Sequence, residues 1–258
     1  MGCGRPGVGG SGLSVSAFAA APAIPAITVP TNSTITNDNT PTISGTKTVQ
    51  GDIIDVYRGG LAGTDICKIP TLTGSFPTAT SWTCNSPVLA DGTYSITATA
   101  NKTGNGGGKS AQSPAIIITI DTTSPTVDIT SSTASANSTT ISTTLSYTAK
   151  FSESVLNFIS TDITVTGSAN GGGPAVSSFV AVNGTTYTFN VLRGSSDGTV
   201  SVSIAASKAN DAATNQNVAS NTYTITIDTI SPSVVLSTPL NPTNVSPFTV
   251  TAKFSENV

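Results

Sequence analysis

The sequence predicts an all-β chain of tandem antiparallel β-sandwiches, and three observations predict it. The first is composition: charged residues make up 9% and hydrophobic ones 37% of 258 residues, so Thr, Ser, Asn and Gly carry most of the surface. Thr, Val and Ile are abundant and fit a pleated, half-buried strand, whereas disordered segments carry more net charge and fewer β-branched residues. The second is alternation: in T-Y-S-I-T-A-T-A, Tyr94, Ile96 and Ala98 face one way and Thr and Ser the other, the mark of an antiparallel sheet with one wet side. The third is repetition. I-T-I-D-T-T-S-P-T-V from Ile118 returns 107 residues later from Ile225 as I-T-I-D-T-I-S-P-S-V, and T-A-K-F-S-E-S-V from Thr148 returns 103 residues later from Thr251 as T-A-K-F-S-E-N-V. A period of roughly 100 residues is that of a domain, and unequal offsets mean loops of unequal length.

This phasing divides the chain into a leader or linker over 1–25, modules over 26–121 and 122–228, and a third piece over 229–258. In the first module the β-rich runs are A-I-T-V, P-T-I-S-G-T, D-I-I-D-V-Y, T-D-I-C-K-I, T-S-W-T-C, T-Y-S-I-T-A-T-A and A-I-I-I-T-I. In the second they are T-V-D-I-T, T-T-L-S-Y-T-A-K-F, T-D-I-T-V-T, V-S-S-F-V-A-V, T-T-Y-T-F-N-V, T-V-S-V-S-I-A-A and T-Y-T-I-T-I. A-D-G-T before Tyr94 and S-D-G-T before Val200 place Asp-Gly where a hairpin needs positive φ. No apolar spacing of helical period runs to useful length. Seven short strands in about 100 residues predict an immunoglobulin-like sandwich for each module. The third piece holds only a linker and two strands, with Phe254 expected in a core as Phe151 is; it is expected to be an incomplete module, poorly packed or borrowing a neighbouring edge. At each module exit Asp-Thr-x-Ser-Pro ends a strand, and Pro125 or Pro232, fixed in φ, stiffens the connection. Lys150, Lys208 and these prolines are placed to blunt exposed strand edges.

The first module resembles bacterial immunoglobulin-like domains, found in tandem in secreted and surface-anchored proteins including large adhesins. The residues that carry the resemblance are T-N-D-N-T-P-T-I-S-G-T (Thr36 to Thr46), D-V-Y (Asp55 to Tyr57), S-W-T-C (Ser81 to Cys84), L-A-D-G-T-Y-S-I-T-A-T-A (Leu89 to Ala100) and the I-D-T-T-S-P exit. The second module resembles a sister variety through F-S-E-S-V, T-D-I-T-V, D-G-T-V-S-V-S-I and N-D-A-A-T-N (Asn210 to Asn215). The family commonly has D-x-A-G-N before the last strand; here Thr214 replaces that Gly, and the first module offers no Asp in Ala100 to Lys109. Some relatives hold calcium near such loops and at junctions, so the carry-over is partial and favours the second module.

Catalysis fares badly. The chain has no His, and so lacks the commonest general base and metal ligand. Its two glutamates, Glu153 and Glu256, occupy one motif position in two repeats. Aspartates lie in turns, where they serve turn chemistry. The net charge of −3, with no basic run, removes the electrostatic term on which nucleic-acid binding depends. No stretch of about 18 apolar residues offers a membrane-spanning helix. Leu13 to Ile24 is a short apolar candidate for targeting, with Ala19-Ala20-Ala21 as a small-residue site, but only Arg5 precedes it where a basic cluster is expected. Gly7 to Gly12 fits G-x-G-x-x-G without the strand and helix that give the pattern its mechanism. Cys67 and Cys84 are either a disulfide between neighbouring strands or two buried thiols; Cys3 lies in the leader.

Two binding readings remain. Calcium takes six to eight oxygen ligands; the candidates are Asp121, Glu153 and Asp211 with Asn215 at the first junction, and Asp228 and Glu256 at the next. Sugar platforms use exposed aromatic rings, but alternation puts Trp82, Tyr94 and Tyr187 in cores. The reading is therefore a non-enzymatic, extracellular or cell-surface stalk whose partners are adjacent modules of its own chain and, at its tip, a host or neighbouring-cell protein or glycan. Strands of about ten residues at 3.3 Å make each sandwich a spacer of roughly 30–40 Å. The alternatives are a ligand-binding adhesion module acting through loops such as Ser168 to Ala175, and an accessory segment of a secreted enzyme.

Overall fold

The structure, a computed structural model, describes residues 21–47, 52–59, 64–69, 81–102, 108–169, 176–238 and 246–257. Cys3, Gly7 to Gly12 and most of the apolar stretch Leu13 to Ile24 lie outside the described residues, as does most of the loop Ser168 to Ala175. The chain divides into two compact units, one running to Thr123 and including Ala213–Asn215, the other comprising Ser124–Ala212 and Gln216 onward.

Among the described residues of the first unit eight strands form two sheets: β1 (Ala26–Val29), β2 (Thr34–Thr36), β3 (Thr42–Thr46), β4 (Asp52–Arg58), β5 (Thr64–Ile69), β6 (Ser81–Asn85), β7 (Gly92–Lys102) and β8 (Ile116–Ile120). One sheet has the order β1-β3-β6 and the other β2-β8-β7-β4-β5. All pairings are antiparallel except β2 with β8, which run parallel. The entering strand is thus split: β1 joins one sheet, then β2 crosses to the other. Alternation buries Ile54 and Val56 of β4, Ile96, Ala98 and Ala100 of β7 and Ile116, Ile118 and Ile120 of β8 against Ile43, Trp82 and Leu89. Each fully buried Ile, Val or Leu among them contributes about 1.5–3 kcal/mol. Gly45 of β3 sits opposite Trp82 of β6, and its missing side chain is what admits the indole, whose Nε1 donates to the Thr46 carbonyl at 3.3 Å.

The outer face of β4 and β7 is drier than alternation alone predicts. Asp55, Tyr57, Thr97 and Thr99 are all buried there, because the segment before β8 runs along β7: Ser110 and Ser113 donate from their backbone N–H groups to the Ala100 and Ala98 carbonyls. From that segment the Gln112 amide donates to the Thr97 hydroxyl, and the Lys109 ammonium lies 4.6 Å from the centre of the Tyr57 ring. Asp55 accepts hydrogen bonds at Oδ2 from the Tyr57 hydroxyl and the Asn101 amide, which offset part of the cost of burying a carboxylate.

The second unit repeats the plan with β9 (Val127–Ser131), β10 (Thr139–Thr140), β11 (Thr144–Phe151), β12 (Ile163–Thr166), β13 (Val176–Ala181), β14 (Thr186–Leu192), β15 (Gly198–Ile204) and β16 (Tyr223–Ile227). Its sheets have the orders β13-β14-β11-β9 and β10-β16-β15-β12, with β10 parallel to β16. The core is more aromatic: the Phe158 ring stands edge-on to Phe151 and Tyr187 at 5.2 and 5.0 Å, and Tyr147 stacks on Phe189 at 5.5 Å. Asn217 is buried with every amide valence used. Its Oδ1 accepts from the Lys208 and Ala209 N–H groups and its Nδ2 donates to the Ala205 and Val218 carbonyls, fixing the loop between β15 and β16.

Beyond β16 the same unit carries a separate two-stranded hairpin, β17 (Val234–Ser237) with β18 (Thr251–Phe254). Every residue of both strands is exposed. Phe254, expected in a core, is 44% exposed, because among the described residues nothing packs over the hairpin.

Two further expectations need correcting. Lys150 does not guard an edge, since β11 lies between β14 and β9, and Lys208 lies in the loop after β15, 4.0 Å from Asp162. Nor are the Asp-Gly pairs tight hairpin turns. Gly92 and Gly198 do take positive φ, 149° and 143°, but each begins a strand whose predecessor, β6 or β14, belongs to the opposite sheet.

Candidate functional site

The Asp-Gly aspartates hold the module exits. In the first unit one carboxylate oxygen of Asp91 accepts the Thr122 N–H at 3.0 Å and the Thr122 hydroxyl at 2.8 Å; the other accepts the Thr123 hydroxyl at 2.9 Å. These bonds, the Thr122 hydroxyl first, hold the Asp91 carboxyl below its ordinary value. In the second unit Asp197 takes the Thr229 N–H at 3.0 Å and its hydroxyl at 2.7 Å. Ile230 stands where Thr123 stands and brings no hydroxyl, so the third bond has no counterpart. Each clamp ties the residues leaving the last strand to the start of the strand beside it. Sequence reasoning assigned these aspartates to turns; the signal for the clamp was that D-G-T and D-T-x-S-P recur together in both modules.

Asp121 and Asp228 sit at equivalent places one residue past β8 and β16. Each closes an Asx turn: the Asp121 carboxylate accepts the Thr123 N–H at 3.1 Å, and that of Asp228 the Ile230 N–H at 3.1 Å. The Asp121 N–H donates to the Thr36 carbonyl and the Asp228 N–H to that of Thr140, extending the parallel ladders. Asn215, which falls in the first unit, donates from Nδ2 to the Asp121 carbonyl at 2.7 Å.

Within the second unit Glu153 follows β11 and is half-buried, and Asp211 lies buried in the loop between β15 and β16. The structure brings these two together, with carboxylate oxygens within 4.8 Å of each other. Two carboxylates so close, one of them buried, form a donor set that suits a hard cation, which takes oxygen ligands. Glu256 is half-buried after β18. Among the described residues neither it nor Asp228 belongs to a group of three acidic side chains close enough to share an ion.

Cys67 of β5 and Cys84 of β6 are joined as a disulfide, Cα to Cα 6.3 Å. Because β5 and β6 are edge strands of opposite sheets, the bond closes one side of the sandwich. Trp82 and Tyr187 are buried. Tyr94 is only half-buried: its hydroxyl donates to the Ala90 carbonyl at 2.8 Å, and the Arg58 guanidinium lies 5.9 Å from its ring centre.

Two sheets, an entering strand shared between them and a clamped exit define an immunoglobulin-like sandwich module. Residues 28–122 match the family model of the bacterial Ig-like domain, and the first module is a bacterial Ig-like domain. No curated protein matches the chain. Domains of this family are surface or structural modules, typically non-catalytic, that occur in surface or extracellular proteins. No helix among the described residues is long and apolar enough to cross a membrane.

Proposed function

We propose that the chain is a non-catalytic, load-bearing stretch of an extracellular stalk that spaces a binding tip from a cell surface. The observation that carries this reading is the pairing of the entering and leaving strands. β2 runs parallel to β8, and β10 parallel to β16, so tension applied through the two ends of a module acts along these strands in opposite directions. Such a load strains the ladder bonds together instead of opening them one by one. The Asp91 and Asp197 clamps, which tie each exit to its own module, support the same reading.

Single-molecule pulling on the full chain tests it. Each sandwich should resist abruptly, and Thr36→Pro, which removes a backbone donor on the side of β2 that faces β8, should lower the rupture force of the first module alone. Unfolding at a force no higher than that of unzipping, or an unchanged force in Thr36→Pro, would count against a load-bearing role.

A second reading adds calcium, and the proximity of Glu153 to Asp211 favours it. On the sequence expectation Asp121 and Asn215 would add oxygens, with Asp228 and Glu256 as the later counterparts. Millimolar calcium should then raise the melting temperature of the second module, and Asp211→Asn should abolish the rise; ligand bound only to the folded state stabilises it by mass action. An unshifted melt sinks the idea.

A further inference from the structure

The outer face of β4 and β7 holds a buried carboxylate that has no part in the module exits or in the acidic pair of the second module. By the register of β4 with β7, Asp55, Tyr57, Thr97, Thr99 and Asn101 project from one side of the sheet. Lys109 reaches that side from the neighbouring segment, because it faces Asn101 across an isolated antiparallel bridge. Residues so paired hold their Cβ atoms about 4.5–5.5 Å apart. Their polar groups then meet in series. The Lys109 ammonium donates to the Tyr57 hydroxyl, that hydroxyl donates to Asp55 Oδ2 at 3.3 Å, and the Asn101 amide donates to the same oxygen. Asp55 is 5% and Tyr57 7% exposed, so the middle of the series is largely closed to water. An amine, a carboxamide and a buried carboxylate that touches the one and lies a single hydroxyl from the other are what amide transfer between side chains requires: a nucleophile, an acyl carbon and an acid–base group beside both.

We propose that Lys109 and Asn101 join through an intramolecular amide (isopeptide) bond, with Asp55 as the acid–base group. Lys109 passes one proton through the Tyr57 hydroxyl to Asp55, and its free amine attacks Cγ of Asn101. As the bond from Nζ to Cγ forms and the bond from Cγ to Nδ2 breaks, Asp55 gives its proton to the departing nitrogen and takes the one that Nζ sheds. The nitrogen leaves as ammonia, which carries that last proton away as ammonium. The positive charge of the lysine thus departs with the product, no electron changes hands, and no co-reactant is needed. Lys109 itself is exposed, which gives the ammonia a way out. The link ties the segment before β8 to β7, beside the bonds that Ser110 and Ser113 already make to Ala100 and Ala98. It lies apart from the parallel ladders and holds or fails independently of the load-bearing reading.

Intact-mass spectrometry of the full chain reads the bond directly, under reductant so that the disulfide adds no difference. The wild-type chain should weigh one ammonia less than its sequence, and a branched tryptic peptide should join Asn101 to Lys109. Lys109→Arg keeps a cation beside Tyr57 but offers a poor nucleophile; it should fold, yet keep the full sequence mass. Asp55→Asn, with folding checked by circular dichroism, should keep the full mass too. In the wild type the Ser110 amide should exchange about ten-fold more slowly than in Lys109→Arg. Full sequence mass in the folded wild-type chain overturns the proposal. So does an ammonia loss that survives Lys109→Arg, which would mean a succinimide at an asparagine such as Asn183 before Gly184. A branched peptide that still forms in Asp55→Asn overturns it as well, since the carboxylate would then carry no proton in the reaction.

Discussion

Gly45 shows how much one absent methyl group decides. A Cβ there would lie 1.9 Å from the Ala26 carbonyl oxygen and 2.5 Å from the Trp82 ring, so Gly45→Ala should destabilise the first module by at least the 1–3 kcal/mol, roughly, that overpacking costs. Gly92→Ala is the control, because it has positive φ but open space around it; its cost should be conformational only, and chemical denaturation should separate the two. If they prove equal, the account of Trp82 is wrong. Asp91 makes a prediction in pH. The Thr122 hydroxyl, the Thr123 hydroxyl and the Thr122 N–H depress its carboxyl in the folded state. The contribution is therefore complete above the unfolded value of about 3.9 and is lost as pH falls through it towards the lower folded value. Wild type and Asp91→Asn should differ in melting temperature at pH 7 and converge below about pH 4; parallel curves would exclude the clamp as a stabilising element.

At the scale of elements, period-two alternation made the seven main strands of each module legible. It did not reveal β2 or β10, because T-I-T and T-T are too short to show a period; they exist because an already formed β8 or β16 offers an edge to pair with. The drier face of β4 and β7 was hidden for a related reason: what covers it is the segment before β8, which has no strand pattern of its own. Cys67 and Cys84 were recognisable as a pair, but that they lie on opposite sheets depends on the crossing between β5 and β6. A disulfide closing a loop of this size typically contributes about 2–4 kcal/mol. Cys67→Ser with Cys84→Ser, or reductant, should lower the unfolding free energy of the first module by that amount, read from denaturant curves, and leave the second unmoved. A uniform loss in both would mean that the bond is not local to its sandwich.

For the whole molecule, the repeat predicts modules of about 100 residues, and the hairpin β17–β18 copies the register of β9 with β11. The candidate acidic residues were legible as positions, but their proximity was not, since Glu153 and Asp211 meet only once the loops after β11 and β15 are folded. With charged residues at 9%, side-chain order rests heavily on neutral pairs such as Thr93 with Thr119 and Ser201 with Thr224. Such contacts are scarcely screened by salt, so melting should change little between low ionic strength and molar NaCl; a large salt shift would mean that charge pairs hold the fold instead. The Asp91 and Asp197 clamps have a genetic corollary. Because each holds an exit using residues of its own module only, a duplication or deletion of one whole repeat breaks none of these bonds. On the proposed stalk reading, reach becomes a trait that recombination can lengthen or shorten in whole steps, with each new copy arriving already fastened.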